Sequence, residues 1–102
     1  MELKPGSRWK SAVCDTEVVV VRATANAATL ECGGYAMVPH AEAKPAALAP
    51  KEGQNGGTQA GKRFADEVTG LEVLCTKGGA GSLGIDGRPI GQKEAKKLPA
   101  SD

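Results

Sequence analysis

Apolar positions in this 102-residue chain come in short runs rather than long stripes. "EVVVVRA" (17–23) and "LEVLCTK" (71–77) are the longest, and "SRWK" (7–10), "TLEC" (29–32), "KRFA" (62–65) and "SLGI" (82–85) are briefer. The first two are rich in β-branched residues, and all are bounded by Gly, Asn, Asp or Ser, the signature of strands joined by tight turns. No stretch keeps an apolar residue every three to four positions for long enough to build a helix. The fold class that follows is all-β. Four consecutive valines (18–21) predict a strand covered on both faces.

The runs also repeat. Gly6, Arg8, Trp9, Val13, Glu17, Val18, Val19 and Arg22 are matched, 55 residues later, by Gly61, Arg63, Phe64, Val68, Glu72, Val73, Leu74 and Lys77. After one loop two residues longer in the first copy, Leu30, Gly34 and Met37 are matched 53 residues later by Leu83, Gly87 and Ile90. A single small offset change where a turn belongs points to internal duplication. Residues 39–60, rich in Ala, Pro, Gly, Gln and Asn, read as a flexible linker. The organisation expected is a first β module at 1–38, the linker, a second module at 61–91 and a tail at 92–102, the modules packing about a pseudo-twofold axis.

Composition adds three limits. Trp9, Tyr35 and Phe64 are the whole aromatic supply, so Val, Leu and Ile carry the core. Thirteen basic against twelve acidic residues, with no basic stretch interleaved with aromatics, argue against nucleic-acid binding. No run reaches the ~18–20 apolar residues of a membrane helix, and the N-terminus lacks the apolar segment of a secretory signal. The expected compartment is the cytoplasm, where thiols stay reduced.

Candidate chemistry centres on Cys14 and Cys32, each at the end of an apolar run. Three readings stand: two metal ligands, a disulfide pair, or two small reduced thiols. Cys75 lies within a strand run and reads as a buried, inert cysteine. "GAGSLG" (79–84) matches the glycine pattern of dinucleotide-binding loops, but it is followed by "IDGRPI" rather than a helix, so it reads as a hairpin connection. The one imidazole, His40, falls in the linker, and no nucleophile and base can be paired. Arg8 and Arg63, recurring before the aromatics, are placed either to bridge to Glu17 and Glu72 across hairpins or to present a symmetric anion site.

"RWKSAVCDTEVVVVRATANAATLECGGYAMV" resembles the desulforedoxin module, which also forms the N-terminal domain of desulfoferrodoxin. The shared features are an aromatic residue before a first cysteine turn, a Val-rich strand and a second turn closing in Gly-x-x-Met. The resemblance spans about residues 6–38 and, through the repeat, 61–90. It implies a small β scaffold binding iron or zinc through four thiolates, and a fused version of the family's homodimer. At the four ligand positions this chain has Ser11, Cys14, Cys32 and Gly33, and in the second copy Asp66, Thr69, Ile85 and Asp86. Only two thiols remain. The function expected is therefore a non-enzymatic accessory or protein-interaction module without a cofactor, monomeric or homodimeric, with an unidentified protein partner. The alternative is a zinc- or iron-binding or thiol-redox protein using Cys14 and Cys32.

Overall fold

Ten short strands form in the computed structural model, which describes residues 3–23, 28–43 and 49–92. In the first half they are β1 (Arg8–Lys10), β2 (Glu17–Arg22), β3 (Leu30–Cys32), β4 (Tyr35–Ala36) and β5 (Val38–Pro39). In the second they are β6 (Arg63–Ala65), β7 (Glu72–Lys77), β8 (Leu83–Ile85), β9 (Arg88–Pro89) and β10 (Gly91–Gln92). One antiparallel sheet runs β10-β6-β7-β2-β1-β5 and the other β4-β3-β8-β9, so both sheets are built from both halves. No helix occurs among the described residues, and none is long and apolar enough to cross a membrane. The fold is all-β.

The registers of the two halves correspond. Trp9 faces Val18 across β1–β2, and Phe64 faces Val73 across β6–β7. At the join between halves Val18 faces Cys75, Val19 faces Leu74 and Val20 faces Val73. In the other sheet Leu30 faces Ile85 and Cys32 faces Leu83. The β2–β7 pairing is interrupted by a register shift on either side, beside Val21 and Thr76. Such bulges increase local twist and let a long central pair curve around a core.

That core is one cluster drawn from both halves: Trp9, Val18, Val20, Leu30, Cys32 and Met37 with Phe64, Leu71, Val73, Cys75, Leu83, Ile85 and Ile90. Burying each Val, Leu or Ile fully contributes roughly 1.5–3 kcal/mol. Because the β2–β7 and β3–β8 seams lie within this cluster, each half supplies the other's buried face. The valine run, however, is not covered on both sides. Val18 and Val20 are buried, Val19 is intermediate and Val21 is 40% exposed. Antiparallel sheets place alternate residues on one core face. The extra valines on the other face reflect the fit of β-branched side chains to a pleated strand.

Residues expected as linker take part in the sheets and their connections. Pro39 belongs to β5, and the His40 amide donates to the Arg8 carbonyl at 3.0 Å. Farther on, the Lys51 amide donates to Gly33 O at 2.8 Å, and Thr58 forms an antiparallel bridge with Gly79. Residues 44–48, and the tail beyond Gln92, lie outside the described residues. The "GAGSLG" stretch runs from a loop into β8, with no helix among the described residues that follow.

Candidate thiol site

Three loops meet around Cys14 and Cys32. The first is the turn from β1 to β2. The Ser11 amide donates to Thr16 O at 2.8 Å, closing the turn, while Ser11 Oγ accepts from the amides of Val13 and Cys14, both at 3.1 Å. Ser11 and Thr16 are fully buried, so these bonds are shielded from competing water. The second is the turn after β3, where Gly33 (φ 66°) and Gly34 (φ 87°) adopt left-handed backbone. L side chains rarely take that conformation, and a Cβ on Gly33 would lie 2.6 Å from Val13 Cγ2. The absence of a side chain lets the two turns pack together.

The third loop comes from the other half. The Gly81 amide donates to Cys14 Sγ at 3.3 Å. A Cβ on Gly81 would stand 2.9 Å from Cys32 Sγ, and one on Gly79 would stand 2.9 Å from Cys14 Sγ and 2.5 Å from Thr16 Oγ1. The loop is strapped down by residues 54–58. Thr58 Oγ1 donates to Gly81 O at 2.7 Å, the Gly56 amide to Ser82 Oγ at 2.8 Å and the Ser82 amide to Gln54 O at 2.9 Å. Glycine-rich backbone thus walls one side of the sulfur pair.

Between these loops Cys14 Sγ and Cys32 Sγ stand 3.8 Å apart, both as thiols. Their surroundings differ. Burial pushes the Cys14 thiol up, but hydrogen bonds with the Ser11 and Thr16 side chains and the Thr16 and Gly81 backbone outweigh it and bring its pKa down to about 7. Thr16 Oγ1 lies 3.2 Å from this sulfur. Cys32 is completely buried, and burial, reinforced by the neighbouring Cys14 charge, raises it to about 11 despite hydrogen bonding with Ser11 and Thr16. The pair combines a partly exposed sulfur that ionises near neutrality with a buried one that holds its proton. Cys75 sits in the core on β7, its thiol donating to Lys77 O at 3.2 Å, and burial raises its pKa.

The remaining ligand positions do not fit a four-coordinate metal. Ser11 Oγ is occupied by two amides, and Gly33 has no side chain and no room for one. In the second half, Asp66 accepts from Thr69 N at 2.9 Å and Thr69 Oγ1 at 2.6 Å, and takes a two-pronged contact from Arg88 at 2.9 and 3.3 Å. Ile85 is core, and Asp86 Oδ1 accepts from the Thr29 amide. An ion pair with a hydroxyl fills that corner. Among the described residues no group of three or more His, Cys, Asp or Glu is placed to hold a metal ion. His40 instead pairs with Glu17, Nε2 to Oε1 at 3.0 Å, and Arg63 pairs with Glu72 at 3.2 Å, so the expected arginine bridge is formed in the second half and Glu17 takes a histidine.

Cys14 and Cys32 are brought together as the spacing of the runs allowed. Thr16, Gly79 and Gly81 were not singled out from the sequence as site residues. The glycines reach the thiols across 67 positions in the case of Gly81 and Cys14, a separation without local signal. No family model, curated protein or solved structure matches the chain.

Proposed function

We propose that this chain is a small dithiol module on a desulforedoxin-like scaffold, acting stoichiometrically on a protein or small-thiol partner through Cys14 and Cys32. The observation that carries the reading is the 3.8 Å approach of two thiols held on separate turns, one partly exposed and one buried. Closing it to the ~2.0 Å of a disulfide requires only a modest movement of the sulfurs.

The step balances as thiol–disulfide exchange. The Cys14 thiolate attacks one sulfur of a partner disulfide, forming a mixed disulfide and releasing one partner thiolate. Cys32 gives up its proton and attacks Cys14 Sγ, and the second partner thiolate leaves. The module loses two electrons and the partner gains them. Cys14 suits the first role because the attacking form is the thiolate, and a thiol pKa near ambient pH is favourable for attack. Gly81 N–H stabilises the charge on that sulfur.

The recurrence of strand order and register in the two halves supports the scaffold reading, with Val19 facing its own counterpart Leu74 as a pseudo-twofold requires. On this view the ancestral metal corners were replaced, by a dithiol in one half and by Asp66, Thr69 and Arg88 in the other.

Equilibration in glutathione buffers of graded ratio, followed by acid quenching, alkylation and peptide mass mapping, tests the reading. Loss of two hydrogens from the peptides bearing Cys14 and Cys32 is expected. Cys32→Ser should accumulate a glutathione adduct on Cys14, and Cys75→Ser should behave as wild type. A pair that stays reduced even in fully oxidised glutathione, or a bridge to Cys75, would overturn it.

A further inference from the structure

The same pair that fails as half of a four-thiolate centre has a geometry of its own. Two metal–sulfur bonds of about 2.3 Å, the zinc–thiolate length, would span the 3.8 Å gap at an angle of about 110°. The rest of a tetrahedron is missing: Ser11 Oγ is engaged, Gly33 offers no ligand, and no third His, Cys, Asp or Glu joins the pair among the described residues. A structural divalent zinc takes four ligands. Soft thiolates also suit Cu(I), which, unlike zinc, carries a single charge and accepts low coordination numbers.

Exposure is distributed to suit such an ion. Cys32 is completely buried, with Gly81 so close that an added methyl would stand 2.9 Å from its sulfur. Cys14 is partly exposed, so it is the sulfur that moves outward toward the roughly 4.6 Å separation that two opposed bonds of that length require. The Gly81 amide and the Thr16 hydroxyl lie at Cys14 Sγ, where the negative charge of a dithiolate complex resides.

We infer that Cys14 and Cys32 form a two-thiolate site for monovalent copper. Binding displaces one proton from each thiol and leaves a complex of net charge −1. The ion and the disulfide exclude one another, because the bonded sulfurs of a disulfide lie only about 2.0 Å apart. The inference shares with the proposed function the pairing of the two thiols, not the exchange step.

The test is titration of the reduced protein under argon with Cu(I) supplied as its bicinchoninate complex, following loss of the complex's colour, with X-ray absorption reporting the sulfur shell. One Cu(I) per chain in a shell of two sulfurs is expected. Cys14→Ser and Cys32→Ser should each weaken binding at least about tenfold, the least that loss of even an outer-shell partner costs a metal site, while Cys75→Ser retains it. Wild-type protein alkylated at Cys14 alone should also lose the ion, a control that does not depend on how a variant folds. Failure to take copper from bicinchoninate, a loss of less than tenfold in both serine variants, or a four-sulfur shell shared by two chains would overturn the inference. Copper binding without disulfide formation in glutathione would remove the exchange reading alone, and a disulfide without copper binding would remove this one alone.

Discussion

Cys14 Sγ lies 3.8 Å from Cys32 Sγ, yet the two thiols are pushed to opposite sides of the ordinary cysteine range, to about 7 and about 11. Burial acts on both but more completely on Cys32, which the neighbouring Cys14 charge raises further, while more hydrogen bonding converges on Cys14, including the Gly81 amide. Alkylation by iodoacetamide should therefore modify Cys14 first, with a rate whose midpoint lies near pH 7. Cys32 and Cys75 should react only when the protein is unfolded. Stopped-time alkylation with peptide mapping between pH 5 and 10 measures this.

Thr16→Val removes the hydroxyl beside Cys14 with little change in volume. The Cys14 midpoint should move upward, since one group that favours the thiolate is gone. The fold should lose about 1 kcal/mol. A midpoint unchanged from wild type would assign the lowering to Ser11 and the backbone amides.

The two depressed and raised thiols also set a pH dependence of stability. Between about 7 and 9 an unfolded Cys14 holds a proton that the folded one has released, so its contribution rises with pH over that window and is lost as pH falls through 7. Above about 9 the sign reverses, because buried Cys32 keeps its proton while the unfolded thiol ionises. Urea midpoints of the reduced protein should pass through a maximum near pH 9, and Cys32→Ser should remove the fall on the alkaline side that this thiol causes.

Gly81→Ala should destabilise the protein by about 1–3 kcal/mol, the range for forcing a methyl into packed space. Its Cβ would meet Cys32 Sγ at 2.9 Å and Gly33 N at 3.0 Å. Gly91→Ala is the control: its Cβ meets nothing within 4 Å, and its effect should stay within about 0.5 kcal/mol. Urea unfolding of the two variants gives the comparison.

Arg88→Met removes both contacts to Asp66, and because the Arg88 side chain is 40% exposed and its charge screened by water the loss should be about 1 kcal/mol at neutral pH. Hydrogen bonds from Thr69 and the charge of Arg88 hold Asp66 below its ordinary pKa, so the stability it adds is present above about pH 4 and lost as pH falls through the folded value. The gap between wild type and variant should narrow in acid, as equilibrium unfolding at pH 7 and pH 3 would show.

Much of the fold is legible along the chain because its signals are local. Runs at 8–10, 17–22, 72–77 and 83–85 become strands, and the turns holding Gly33, Gly34 and Gly87 fall where glycine interrupts them. The valine run misled in one respect: its β-branched character marks a strand, but burial of each face depends on what the sheet packs against. The site was half legible. Cys14 and Cys32 stand out by residue type, whereas Asp66 gives no hint that Arg88 will be its partner.

The order of the six longer strands, the all-β class and the two thiol-bearing turns follow from residue type and periodicity, because strand and turn preferences act over a few neighbouring residues, whereas the two-residue strands β4, β5, β9 and β10 do not. Contacts between distant segments follow from packing. The close approach of Cys14 to Cys32, the loop of Gly79 and Gly81 against both, and the strap of Thr58 across that loop join segments 18 to 67 positions apart. Those separations are closed when the shared core forms. The unequal chemistry of the two thiols is then set by which sulfur the Gly81 amide reaches and which is sealed from water.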